Sequence, residues 1–317
     1  MAISPDPVRP AFAGAHAGAP VLAGNILGVA SMVTWATAFP AAEFLLQSWP
    51  PLALITARLI IAVLFLLPVW VLMDGTRAAL TARWGRGIIV GGIGFGVGTY
   101  LLLVAQDLTD PVTVALIASC GPLAGTLIEL ANRQRQLTGR FAIGMGASIL
   151  GGAIATNALS GSDIGIGAAC AVVSVAFFSW GSHRVVVDFP DLTPIGRTTI
   201  TLAGALIAVG AICLGVALFG PAAAVAISPK TADIAPLLLY AVVSMAVSQA
   251  FWLGSVGRLG VALASFHMNV APFYVMLIML AMGDSWDWTK ATGAAIVGLG
   301  VIIAQSRPRR RGPVAPV

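Results

Sequence analysis

"VVSMAVSQAFWLGS", Val242–Ser255, decides how the rest of the chain is read. It lies inside a mostly apolar run of about twenty residues, the length a helix needs to cross a bilayer. Yet Ser244, Ser248 and Trp252 recur four residues apart, Ser255 follows three further on, and Tyr240 extends the row. These positions share one helix face, and Gln249 borders it. A polar stripe surrounded by hydrocarbon must turn toward another helix or toward water. Interhelical packing through small serines is one outcome. Gln249 and Trp252 are too large for such a seam and favour a cavity wall.

The run is one of many. The 317 residues are 58% hydrophobic and 9% charged, against about 25% charged in an average soluble domain. That composition excludes a soluble protein and describes an all-α integral membrane protein. Hydropathy predicts ten spans, near 22–47, 51–73, 85–107, 111–131, 140–158, 164–187, 194–219, 235–257, 260–282 and 289–306. Connectors such as Trp49-Pro50-Pro51 and Ser160-Gly161-Ser162-Asp163 leave no room for a soluble domain. Residues 1–21, rich in Pro, Ala and Gly, are read as a disordered tail, and residues 307–317 as a basic one. "AHA" at 15–17 precedes the first apolar run, so that span is expected to stay uncleaved.

Lysine and arginine set the orientation. With the N-terminus inside, fourteen of the 17 face the cytoplasm, Lys230 and Lys290 face out, and Arg58 lies within the second span. Both termini are therefore expected to be cytoplasmic, in a bacterial inner membrane. The net charge of +5 is mainly this topology signal. The tail "RPRRRGPV" suits anionic lipid and is too short for nucleic acid.

The second half repeats the first. At an offset of 150, Pro122 meets Pro272, Ser119 meets Asn269 and Leu103 meets Leu253. At 149, "GMGASILGGAIA" from Gly144 meets "GAAIVGLGVIIA" from Gly293, and "TARLIIAV" set on "IGRTTITL" places Arg58 against Arg197. Five spans is an odd number, so the second copy is inverted. Inverted repeats around a midplane site are a transporter signature.

These features resemble the drug/metabolite transporter superfamily, with two EamA-type domains of five helices at 22–158 and 164–306. The resemblance rests on "TWATAF" in span one, "TAR" after the prolines opening span two, the Gly-rich third and fifth spans, and "IASCGPL" in span four. Over the whole chain the similarity is greatest to YddG-type exporters of aromatic and other amino acids.

Candidate binding residues follow from the polar stripes and the mid-span aromatics. Trp35, Tyr100, Ser119, Trp180, Ser244, Ser248, Gln249, Trp252, His267 and Asn269 are expected around one central cavity. Pro122 and Pro272 are expected to break two helices beside it, a packing kink being the alternative. Trp49, Trp84, Trp286 and Trp288, at span ends, are read as interfacial anchors. Glu43 and Arg58 lie a turn or two below the outer face, where a lone charge is costly. They are expected to pair as an outer gate, separate reach to water or headgroups being the alternative.

Of the twelve carboxylates, only Glu43 and Glu129 lie within spans, each toward an end. Small multidrug members of the superfamily couple protons through a central glutamate in helix one; this chain reads Thr34-Trp35-Ala36-Thr37 there. "GGIGFGVG", 91–98, has no strand before it or Lys after it, and reads as helix packing and not a phosphate loop. The three cysteines lack metal or disulfide spacing, and no metal or cofactor is expected. The expected function is export of small neutral or zwitterionic metabolites, chiefly amino acids, by a monomer using alternating access. Export of other amphipathic metabolites or drugs is the alternative; a pore or an intramembrane enzyme fits less well.

Overall fold

A computed structural model describes residues 19–131, 139–155 and 165–305. Both expected tails fall almost wholly outside the described residues, as does the Glu129 side chain. Among the described residues all regular structure is helical. Among the described residues seven helices are long and apolar enough to cross a membrane, and three shorter apolar helices accompany them. In chain order they are α1 (Val21–Leu46), α2 (Pro51–Asp74), α3 (Trp84–Leu108), α4 (Pro111–Ile128), α5 (Ala142–Ile154), α6 (Ile166–Asp188), α7 (Pro194–Phe219), α8 (Thr231–Leu259), α9 (Ser265–Ala281) and α10 (Trp288–Ile303). Side chains such as Leu72 and Phe219 stand almost fully exposed, as suits a surface solvated by lipid.

Local chemistry starts these helices sharply. Proline opens α2, α4 and α7, where its missing N–H costs nothing. Asp110 caps α4 by accepting from the Val112 and Thr113 amides, each at 3.0 Å.

Several helices depart from regular winding, which hydropathy does not report; α1 itself is interrupted at Thr37. Gly91–Val97 of α3 and Leu239–Val247 of α8 are π-helical, and segments of this kind often sit at functional sites. Helix α4 is interrupted at Ser119-Cys120, just before Gly121-Pro122. Helix α9 winds as a 3₁₀ turn over Ser265–Val270, just before Pro272. Both irregular pairs recur at an offset of about 150.

Packing follows the same scheme. Helix α1 lies along α8, α3 along α6, α2 against the π segment of α8, and α7 against that of α3. Helices α5 and α10 form an antiparallel pair. A Cβ on Gly151 would lie 2.8 Å from Gly293 O, and one on Gly300 would lie 2.6 Å from Gly144 O. Small residues allow this approach where lipid provides no hydrophobic drive between helices.

The π segments meet different partners. On α3, a Cβ at Gly91 would come 2.1 Å from Thr201 O of α7. On α8, Arg58 of α2 lies over the Tyr240 ring, 3.7 Å from its centroid. Its Nε donates to Tyr240 O (2.8 Å) and its Nη2 to Ser244 Oγ (3.1 Å). Pro51 and Pro194, opening α2 and α7, set an offset of 143 between these helices. At that offset Arg58 falls on Thr201, while the Arg197 guanidinium bonds Phe189 O and Pro190 O. A Gly91→Ala substitution is expected to cost about 1–3 kcal/mol, because its neighbour is backbone and cannot rotate away. Thermal unfolding of the detergent-solubilised protein measures this.

Candidate functional site: a central cavity

The helices surround a central cavity of about 50 Å³, space for a few water molecules in this closed arrangement. Its walls are Ser31, Met32 and Trp35 of α1, Gly98, Thr99 and Leu102 of α3, Ala118 of α4, Ser174, Val175 and Phe178 of α6, Ser248, Gln249 and Trp252 of α8, and Met268, just before Pro272, in α9. All fourteen fall into seven pairs. An offset of 143 relates Ser31 to Ser174, Met32 to Val175 and Trp35 to Phe178. An offset of 150 relates Gly98 to Ser248, Thr99 to Gln249, Leu102 to Trp252 and Ala118 to Met268. None of the fourteen side chains ionises near neutral pH.

Hydrogen bonds repeat the pairing. Ser31 Oγ donates to Ser248 O of α8 at 2.9 Å, and Ser174 Oγ donates to Gly98 O of α3 at 2.7 Å. Ser248 Oγ returns a bond to Ser31 O at 3.0 Å. The α1–α8 and α3–α6 contacts are thus tied at cavity level. Two other bonds bracket the cavity. Toward the end holding Trp49, Gln106 Nε2 of α3 donates to Phe39 O of α1 at 2.8 Å. Toward the end holding Arg86, Trp252 Nε1 of α8 donates to Ser182 Oγ of α6 at 3.0 Å. Phe39 and Ser182 are themselves 143 apart.

Trp35, Ser248, Gln249 and Trp252 therefore meet in one space. The other expected binding residues do not line it. Ser119 lies one residue past Ala118 and turns its hydroxyl to Leu116 O at 2.6 Å. Asn269 follows Met268; its Oδ1 is buried without a partner, outside the lining. Tyr100 follows Thr99 and, half-buried, packs against the core instead. Trp180 is two residues from Phe178, on another helix face. Ser244 lies one turn from Ser248 and holds Arg58. His267 belongs to a separate cavity with Val21, Asn25 and Leu259. Sequence reading missed Ser31, Thr99, Ser174 and Phe178. Setting helix one on helix six at an offset of 143 would have found Ser31, Ser174 and Phe178.

Two further expectations are corrected. Glu43 and Arg58 do not pair. Arg58 turns inward to the Tyr240 ring and carbonyl, where its flat guanidinium can stack and donate at once. Glu43 is exposed, 3.5 Å from Gln106 Nε2. Trp49 is no lipid anchor: it is buried and donates to Asp233 Oδ2 at 2.9 Å.

At the same end as Trp49, Lys290 Nζ bonds Asp110 Oδ1 at 2.8 Å, joining the start of α10 to that of α4. Burial by itself would raise the Asp110 carboxyl. The Lys290 ammonium, with the Thr113 hydroxyl and amide, outweighs it and holds the group below the usual 3.8. A lowered carboxyl stabilises the fold above its unfolded value and loses that contribution as pH falls through its folded value. Lys290→Met should therefore melt below the wild type at neutral pH. The gap should close as pH drops below about 3.8, measured by thermal unfolding across a pH series.

Comparison with solved structures finds 16 matching chains. One, described as "Crystal structure of protein", superimposes with a TM-score of 0.69 at 17% identity, over 90% of this chain and 98% of its own. That likeness is one of fold. No curated protein matches. With its apolar helices, the chain is a multi-pass membrane protein whose residues 22–157 match the model of the EamA-like transporter family.

Proposed function

We propose that the chain is a drug/metabolite-type exporter of small neutral or zwitterionic metabolites, chiefly amino acids including aromatic ones. It works in an inner membrane, with both termini cytoplasmic, as two inverted five-helix repeats. The observation that carries this reading is the cavity: seven wall pairs, one member from each half, with three aromatic rings and no ionised side chain. Such a wall suits an uncharged or internally neutralised molecule with an apolar body. Its largely apolar lining does not favour a nonspecific aqueous pore. The match of residues 22–157 to a transporter family supports transport over catalysis.

The packing supports alternating access. Helices α1 and α8 form one extensive contact, and α3 and α6 form the other. The links between these two units are slight and come in a related pair, α1 with α3 and α6 with α8. Gln106–Phe39 closes the first on the outer side, and Trp252–Ser182 closes the second on the inner side. Rocking of one unit against the other opens either link while the strong contacts persist.

Purified protein in proteoliposomes tests the reading. Uptake of L-phenylalanine that saturates and is competed by other neutral amino acids supports it. Flux that never saturates, or none for any neutral amino acid, counts against it.

A further inference from the structure

We infer that Gln249 selects what enters the cavity, by donating from Nε2 to a carbonyl or carboxylate oxygen on the transported molecule. The inference rests on the transport reading above and deepens it. Every hydroxyl proton in the wall is already donated. Ser31, Ser174 and Ser248 donate to the main chain of neighbouring helices, and Thr99 donates to Phe95 O within its own helix. The Trp252 N–H is taken by Ser182. Gln249 Nε2 is the one fully buried polar side-chain atom of the wall without a partner.

Gln249 is 8% exposed, so bulk water does not satisfy that amide. A buried donor left unmade is costly, and a ligand oxygen that meets it, once the side chain turns its amide into the cavity, recovers the loss. The repeat shows that this is a device of one half only. The counterpart of Gln249 is Thr99, whose hydroxyl is satisfied internally. The two halves thus supply similar apolar surface, but the fully buried open amide lies on α8 alone, which favours one direction for a bound molecule. Its oxygen lies toward α8 and its apolar body toward Trp35 and Phe178. A molecule lacking the oxygen fills the cavity but strands the amide, which is how such sites discriminate.

The test uses the full chain in proteoliposomes, with L-phenylalanine uptake as readout and two competitors. At mildly acidic pH, L-phenylalaninamide and 2-phenylethylamine are both monocations carrying the same ring; only the first has a carbonyl. In the wild type the amide is expected to compete about tenfold better or more. In Gln249→Leu and Gln249→Met, two replacements of different shape, that preference should shrink to within about twofold. The KM for L-phenylalanine should rise about tenfold while the maximal rate holds. A wild type without the preference overturns the inference with no variant needed. So does a preference that survives in either variant. Absence of saturable L-phenylalanine uptake in the wild type overturns the transport reading and this inference together. Saturable uptake with an unchanged preference overturns this inference alone.

Discussion

Trp252→Ala is expected to lower transport efficiency about a hundredfold, measured as saturable uptake into proteoliposomes. Trp252 is 2% exposed, lines the cavity, and packs its ring 5.7 Å from that of Phe178. Its indole N–H also makes the bond to Ser182 that joins α8 to α6. Truncating a buried tryptophan costs about 3–5 kcal/mol in general. If about 2.7 kcal/mol of that falls on the loaded, closed state, the rate per encounter drops a hundredfold. Trp252→Phe separates the two roles, because it keeps an aromatic wall and removes the N–H. A loss of about tenfold is expected for it. Wild-type uptake in Trp252→Ala would show that neither wall nor link at this position matters.

The second large effect concerns Arg58. A guanidinium inside a bilayer normally has a carboxylate partner or faces water. Here it is 5% exposed, with a ring face, a carbonyl and a hydroxyl around it. Removing the ring should therefore do more harm than removing the charge. Tyr240→Leu leaves a buried cation without its stacking partner and is expected to cost about 2 kcal/mol or more, the worth of a desolvated cation–π contact. Arg58→Met takes the cation away and is expected to cost about 1 kcal/mol or less, since an apolar side chain of similar length suits the same space. Tyr240→Phe keeps the ring and the main-chain acceptor and should be close to neutral. Thermal unfolding in detergent ranks the three. Equal losses in Tyr240→Leu and Arg58→Met would mean that the contact acts as ordinary packing.

Much of this protein was legible before any folding was considered. Composition and span length are one-dimensional properties, and hydrocarbon permits only a short list of structures to satisfy them. The apolar runs therefore determined that the chain is helical and membrane-spanning. Offset matching pointed to a second copy of the same plan, and helical spacing singled out Ser248, Gln249 and Trp252 as one side of α8. Trp35 stood out because a mid-span tryptophan has no interfacial duty.

Only the tertiary structure decided which polar residues see the cavity. One residue turns a helix by about 100°, so Ser119 and Tyr100 miss a space that Ala118 and Thr99 line. The π segments of α3 and α8 shift that rotation again, and neither leaves a mark in hydropathy. Pairing was equally hidden. Glu43 and Arg58 are close in sequence and opposite in charge, yet Arg58 meets Tyr240, 182 positions away. The reason is geometric: α2 packs against the π segment of α8, so the nearest groups able to hold a guanidinium belong to the other half of the chain.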